Sequence, residues 1–87
     1  MEVSVWDTYV KRKDGLTMHF DILVPHDVRD EYKVLNFGKK YLDTKTFRTE
    51  GLTTNECRFC HSEIADSTIE TEIRNHGYYI VEMENCI

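Results

Sequence analysis

At 87 residues the chain has the size of one small domain, near the length at which a single apolar core supplies only a slim net stability. Its 40% apolar and 11% aromatic content is enough to fill one core, which excludes intrinsic disorder. Sixteen acidic residues against eleven basic ones leave a net charge of −5, which repels a phosphate backbone and argues against nucleic-acid binding.

The N-terminal residues Met1 to Val10 lack the basic start and uninterrupted apolar stretch of a signal peptide, and read instead as a strand. No segment approaches the roughly eighteen consecutive apolar residues of a membrane-spanning helix, so no membrane partner is expected. Three cysteines are an odd number, which argues against a disulfide framework and for a soluble protein of the reducing cytoplasm. There are no repeats and only one proline, so residues 1–87 are expected to form a single compact domain.

Residues 2–10 and 17–24 are rich in β-branched and aromatic side chains and flank Asp14-Gly15, the pair that a type I′ turn prefers. This predicts a β-hairpin. A two-residue Asp14-Gly15 loop sets Tyr9 opposite Phe20, Asp7 opposite Ile22, Val5 opposite Val24 and Thr8 opposite Asp21. One face then carries Val5, Tyr9, Met18, Phe20, Ile22 and Val24, with Asp7 among them, and the other carries Trp6, Thr8, Val10, His19, Asp21 and Leu23.

Pro25 ends the second strand, and Asp27 is placed to cap a helix running from Val28 to about Asp43, with Asp30 in its first turn and Lys39 and Lys40 near its end. Residues 44–51 read as a polar connection, within which Lys45 to Thr49 has the composition of a short strand. Thr53 and Glu56 form a capping-box pattern that predicts a second helix from Thr54 to about Ile64, with Leu52 packing on Cys57. The same pattern at Ser67 and Glu70, with His76-Gly77 as a stop, predicts a last helix of about ten residues. Tyr78 to Met83 then reads as a third strand, apolar enough to belong in the sheet interior. The fold class is α+β: a small sheet, made of the N-terminal hairpin and the C-terminal strand, packed against two to three helices.

Chemistry is concentrated in Cys57-Arg58-Phe59-Cys60-His61. The string matches the attachment pattern of c-type haem, but haem attachment requires export, and no export signal is visible. On a helix, Cys57, Cys60 and His61 share one face at steps of three and four, and with Cys86 or His76 they supply the ligands of a zinc site; the second close ligand pair that makes zinc signatures specific is missing. A redox dithiol needs a thiol at a helix N-terminus, and here Cys57 falls at the fourth helical position. The plain alternative is that these cysteines are small buried apolar side chains, as free cysteines commonly are. Asp7, His19 and Asp21 form a further candidate polar site: Asp7 sits on the apolar face as a base, a metal ligand or a carboxylate bonded to backbone amides, and His19 and Asp21 share one side of a strand. Trp6, Val10 and Leu23, on a face that the predicted helices do not obviously cover, suggest a homodimer interface.

Asp7-Thr8-Tyr9-Val10, Met18-His19-Phe20-Asp21 with Leu23-Val24-Pro25, Glu56 to His61, and Gly77 to Ile80 with Glu82-Met83-Glu84 and Cys86 resemble a small bacterial family known as domain-of-unknown-function family number twenty twenty-four. The resemblance spans nearly the whole chain and implies a compact stand-alone α+β protein. It carries no catalytic role to transfer, but it places Asp7, His19, Asp21, Cys57, Cys60, His61 and Cys86 inside the matching segments. The reading that follows is a non-enzymatic protein whose cysteine segment serves the fold and which needs no cofactor. The alternatives are a metal-binding or thiol-redox protein that uses Cys57, Cys60 and His61, and a homodimeric interaction module.

Overall fold

In the computed structural model, which describes residues 1–87, four strands and two helices follow one another as β1 (Glu2–Lys11), β2 (Thr17–Pro25), α1 (Glu31–Leu42), β3 (Cys57–Ile64), α2 (Ser67–His76) and β4 (Tyr79–Glu84). The strands form one antiparallel sheet in the order β3-β1-β2-β4. The predicted α+β class holds, but the sheet has four strands instead of three. The central positions belong to the hairpin, and β4, expected in the interior, is an edge strand.

The hairpin forms where its composition places it, but in a different register. Its loop has three residues, Lys13-Asp14-Gly15: the Gly15 amide donates to the Arg12 carbonyl at 3.1 Å, and the Arg12 amide donates to the Leu16 carbonyl at 2.8 Å. Gly15 takes the positive φ of 95° that closes a type I turn followed by a left-handed residue, a common three-residue hairpin. One extra loop residue slides the strands by one position, so Asp7 faces Asp21, Tyr9 faces His19, Thr8 faces Phe20 and Val5 faces Leu23.

The slide sorts the two faces cleanly. Trp6, Val10, Met18, Phe20, Ile22 and Val24 lie on one face and pack with Val34, Leu35 and Tyr41 of α1, together with Leu52, Cys57 and Cys86. Val3, Val5 and Leu23 lie on the other and pack with Ala65 and with Ile73 of α2. Each helix therefore covers one face. Trp6, Val10 and Leu23 are not one patch: all three are buried, and Leu23 faces away from the other two, so the dimer surface predicted from them is already used within the chain.

Helix α1 starts later than predicted because Asp30, not Asp27, is the cap; its carboxylate accepts from the Tyr32 amide at 3.0 Å. Residues 25–28 form a turn instead, with the Val28 amide donating to the Pro25 carbonyl. Helix α2 lies where expected, capped by the Asp66 carboxylate rather than by Ser67 and ended by Gly77 at a φ of 90°. The segment from Lys45 to Thr49 contributes only a single bridge, between Thr49 and Arg12.

The helix predicted for residues 54–64 is the main error. The Thr53–Glu56 pairing does form, with the Glu56 carboxylate accepting from the Thr53 amide at 2.8 Å, but it closes one turn and then gives way to β3. A capping box satisfies amides at either a turn or a helix start, and Cys57-Arg-Phe-Cys-His has little helix propensity to extend it. The open edge of β1 offers a full row of backbone partners, and pairing there wins.

Candidate functional site

The register change has a direct chemical result. Asp7 and Tyr9 of β1 and His19 and Asp21 of β2 now occupy adjacent cross-strand pairs on one face of the sheet. Helix α2 covers that face only over Val3, Val5 and Leu23, so the polar end stays open. His19 Nε2 lies 3.3 Å from Asp7 Oδ1 and 3.7 Å from Asp21 Oδ1. Ligand atoms of Asp7, His19 and Asp21 all fall within 4.8 Å of one another. Tyr9 stacks on the imidazole with ring centroids 4.1 Å apart and planes 9° off parallel, which holds His19 toward the carboxylates.

Crowding two carboxyls separates their acidities. Burial, then the hydrogen bond and charge of Asp7, push Asp21 up to about 6, against the opposing pull of His19 and His61. Asp7 moves down, chiefly because the Asp21 carboxyl donates to it, with His19 and Cys60 adding further hydrogen bonds. The two carboxyls thus share a proton in mildly acid solution. Once Asp21 is ionised, its Oδ1 is cut off from solvent and receives no N–H or O–H donor from the fold.

Strand β3 adds to the same face through a bulge. Phe59 pairs with Trp6 and His61 with Val5, leaving Cys60 as the extra residue between them. Ordinary alternation sends neighbouring side chains to opposite faces; a bulge lets two in succession turn the same way. His61 is paired with Val5 on the Asp7 face. Cys60 Sγ and His61 Nδ1 are 3.3 Å apart, and His61 Nε2 is 3.3 Å from Glu63. Partial desolvation, then the negative charges of Asp7 and Asp21, raise the Cys60 thiol above its ordinary range.

The set Cys57, Cys60, His61 and Cys86 is divided by the fold. Cys57 is paired with Thr8 and buried in the core on the α1 side, where desolvation pushes its thiol up. Cys86 is in the same core and donates to the His19 carbonyl at 3.4 Å. Cys60 and His61 are exposed on β3. All three cysteines are free thiols. His76, the other distant candidate, lies in the last turn of α2 beside Glu72 at 3.4 Å. The Asp7, His19 and Asp21 set is brought together, and Cys60 and His61 border it. The pattern Asp-x-Tyr on one strand and His-x-Asp on the next was the available signal; only a correct loop length would have aligned them.

A cavity of about 320 Å³ lies against the opposite face of the sheet, lined by Trp6, Phe59, Val28, Arg29 and Ser4 among others, and takes no part in the cluster.

A four-stranded antiparallel sheet with one helix on each face, carrying an open cluster of carboxylates, imidazoles and a thiol, defines a small α+β domain with a polar side-chain site on its sheet surface. No helix is long and apolar enough to cross a membrane. The chain belongs to the family described as "Domain of unknown function (DUF2024)", whose model matches residues 1–83. It is similar to protein NE1680 from Nitrosomonas europaea, a structural-genomics target solved by NMR. That chain is 43% identical, the match covers 100% of both chains, and the TM-score is 0.82. No curated protein matches the chain.

Proposed function

We propose that this is a non-enzymatic, metal-binding protein of the bacterial cytoplasm that holds a divalent transition ion on Asp7, His19 and Asp21. The observation that carries this reading is the closeness of their three ligand atoms, all within 4.8 Å. Ligands about 2.0–2.1 Å from a tetrahedral ion lie about 3.3 Å from each other. The His19 to Asp7 separation of 3.3 Å and the His19 to Asp21 separation of 3.7 Å are close to that edge length, so little rearrangement is needed. An ion would also give Asp21 Oδ1 the partner that the fold withholds, and two carboxylates would balance a dipositive charge. A reducing compartment fits three free thiols.

An acid–base site is the second reading, supported by the divergent acidities of Asp7 and Asp21 beside a histidine. The metal reading is preferred because it also accounts for the unpartnered oxygen. Calorimetric titration of chelator-treated, reduced protein with zinc should give one equivalent bound, and Asp7→Asn, His19→Ala and Asp21→Asn should each weaken it at least about tenfold. Zinc binding that all three substitutions leave unchanged, or none at all, overturns the proposal.

A further inference from the structure

We propose that the cavity on the α1 side of the sheet binds a small aromatic carboxylate, with its ring against Trp6 and Phe59 and its carboxylate on the Arg29 guanidinium. The site lies on the face opposite Asp7, His19 and Asp21 and does not depend on an ion there. Dimensions explain why the cavity exists. Four strands, each taking about 4.8 Å, make a sheet about 19 Å wide, whereas one helix covers about 10 Å. Helix α1 packs on β2, with Tyr41 against Phe20, and the β3 side of the same face has no helix over it. Residues 26–29, on the way from β2 to α1, wall off the remaining side through His26, Val28 and Arg29.

The resulting space of about 320 Å³ has an apolar wall and a polar rim. Its wall is Trp6, with Phe59 set edge-on at a ring-centroid distance of 5.9 Å and an interplanar angle of 78°, together with half-buried Val28. An apolar cavity of about 150 Å³ takes up benzene, so one about twice as large holds a ring with a short polar substituent. Trp6 is only 7% exposed, and its indole N–H is cut off from water and meets no acceptor in the fold. A ligand oxygen brought to the indole supplies that acceptor. The rim decides the sign of the ligand's charge. Arg29 is exposed and forms no ion pair, while Glu2, the one acid of the rim, has His26 4.0 Å from it. The hydroxyls of Ser4 and Ser62 add neutral donors. A guanidinium and a carboxylate are both planar and join through two parallel hydrogen bonds, and in a chain of net charge −5 a bound anion needs such a local cation.

Trp6 is the only tryptophan, so the protein has a single indole N–H resonance, and it reports on this wall. Phenylacetate, added to reduced, metal-free, isotope-labelled protein, should shift that resonance and the amides of Ser4, Arg29 and Ser62 saturably, with a Kd of about 1 mM or tighter, and leave the amides of α2 in place. Phenylethanol, which keeps the ring without the charge, and acetate, which keeps the charge without the ring, should each bind at least about tenfold more weakly. Arg29→Ala should weaken phenylacetate about tenfold and leave phenylethanol unchanged, and Arg29→Lys should restore part of the loss. Arg29 is exposed and unpaired, so both variants are expected to fold, which the amide spectrum checks. An indole resonance that phenylacetate does not shift saturably overturns the proposal. So does binding that Arg29→Ala leaves unchanged, or phenylethylammonium binding as tightly as phenylacetate, which would make Glu2 and not Arg29 the group that selects charge.

Discussion

The two faces of the central hairpin are built from the same two strands, residue by alternate residue, and do opposite things. On the α1 side, Phe20, Met18, Ile22, Val24 and Val10 are essentially out of contact with water. On the other side, the same strands present Asp7, Tyr9, His19 and Asp21 where α2 does not reach. A small domain with one good apolar face is able to leave half of the other face polar. The stability comes from the first face and the chemistry sits on the second.

The largest expected break in this contrast is in the core. Phe20→Ala should cost about 3–5 kcal/mol, enough to threaten folding in a domain this size, because Phe20 is fully buried against Tyr41. Tyr9→Ala, on the opposite face and 50% exposed, should cost less than about 1 kcal/mol. Urea denaturation of the two variants measures the difference, and equal losses would contradict the division between faces.

Asp21 sharpens the comparison because the open face has a cost of its own. Its folded pKa of about 6 lies above the ordinary 3.8, so the folded state binds the proton more tightly than the unfolded one. That contribution to stability is complete below about pH 4, declines as pH rises through about 6, and is flat beyond. Asp7, with a lowered pKa, works in the other direction, and its share is lost as pH falls below the ordinary carboxylate range. Asp21→Asn keeps an N–H to donate to Asp7 and cannot ionise. In metal-free protein it should be more stable than the wild type by on the order of 2 kcal/mol above pH 7 and nearly equal to it at about pH 4. The same gain at both pH values would show that Asp21 carries no burial penalty.

Smaller effects probe how the faces are assigned. Gly15→Ala should cost about 1 kcal/mol, because the residue holds a φ of 95° while a Cβ there meets nothing within 4 Å, so the loss is backbone strain alone. Thermal melting is a sufficient test. Cys57→Ser should lose about 1 kcal/mol through a hydroxyl placed in the core, whereas Cys60→Ser should change stability by less than about 0.5 kcal/mol. Alkylation of the native protein should accordingly modify Cys60 well before Cys57 or Cys86, and equal rates would place the thiols on one side.

Much of the fold was legible in local sequence signals. The hairpin strands, the core of α1, nearly all of α2 with its glycine stop, and the last strand each depend on periodicity, caps and turn residues within a few positions of one another. The residues of the candidate site were legible too, as Asp7, His19, Asp21, Cys60 and His61 are unusual where they stand. Their grouping was not. Asp14-Gly15 is compatible with a two- or a three-residue loop, and that single choice decides whether Asp7 meets Ile22 or Asp21. Likewise, Thr53 to Glu56 is the same capping pattern whether a helix or a strand follows, and the outcome decides whether Cys57 and Cys60 share a face or are parted.

The sequence by itself determined the α+β class, the family, the number of thiols and which residues carry unusual chemistry, because composition and local patterning act over short separations. The tertiary structure alone decided the register of the hairpin, the recruitment of residues 57–64 to the free edge of β1, and the bulge at Cys60. Those outcomes depend on backbone groups far apart in sequence finding partners. Strand pairing has a period of two, so a one-residue change in register exchanges every side chain between the core and the surface.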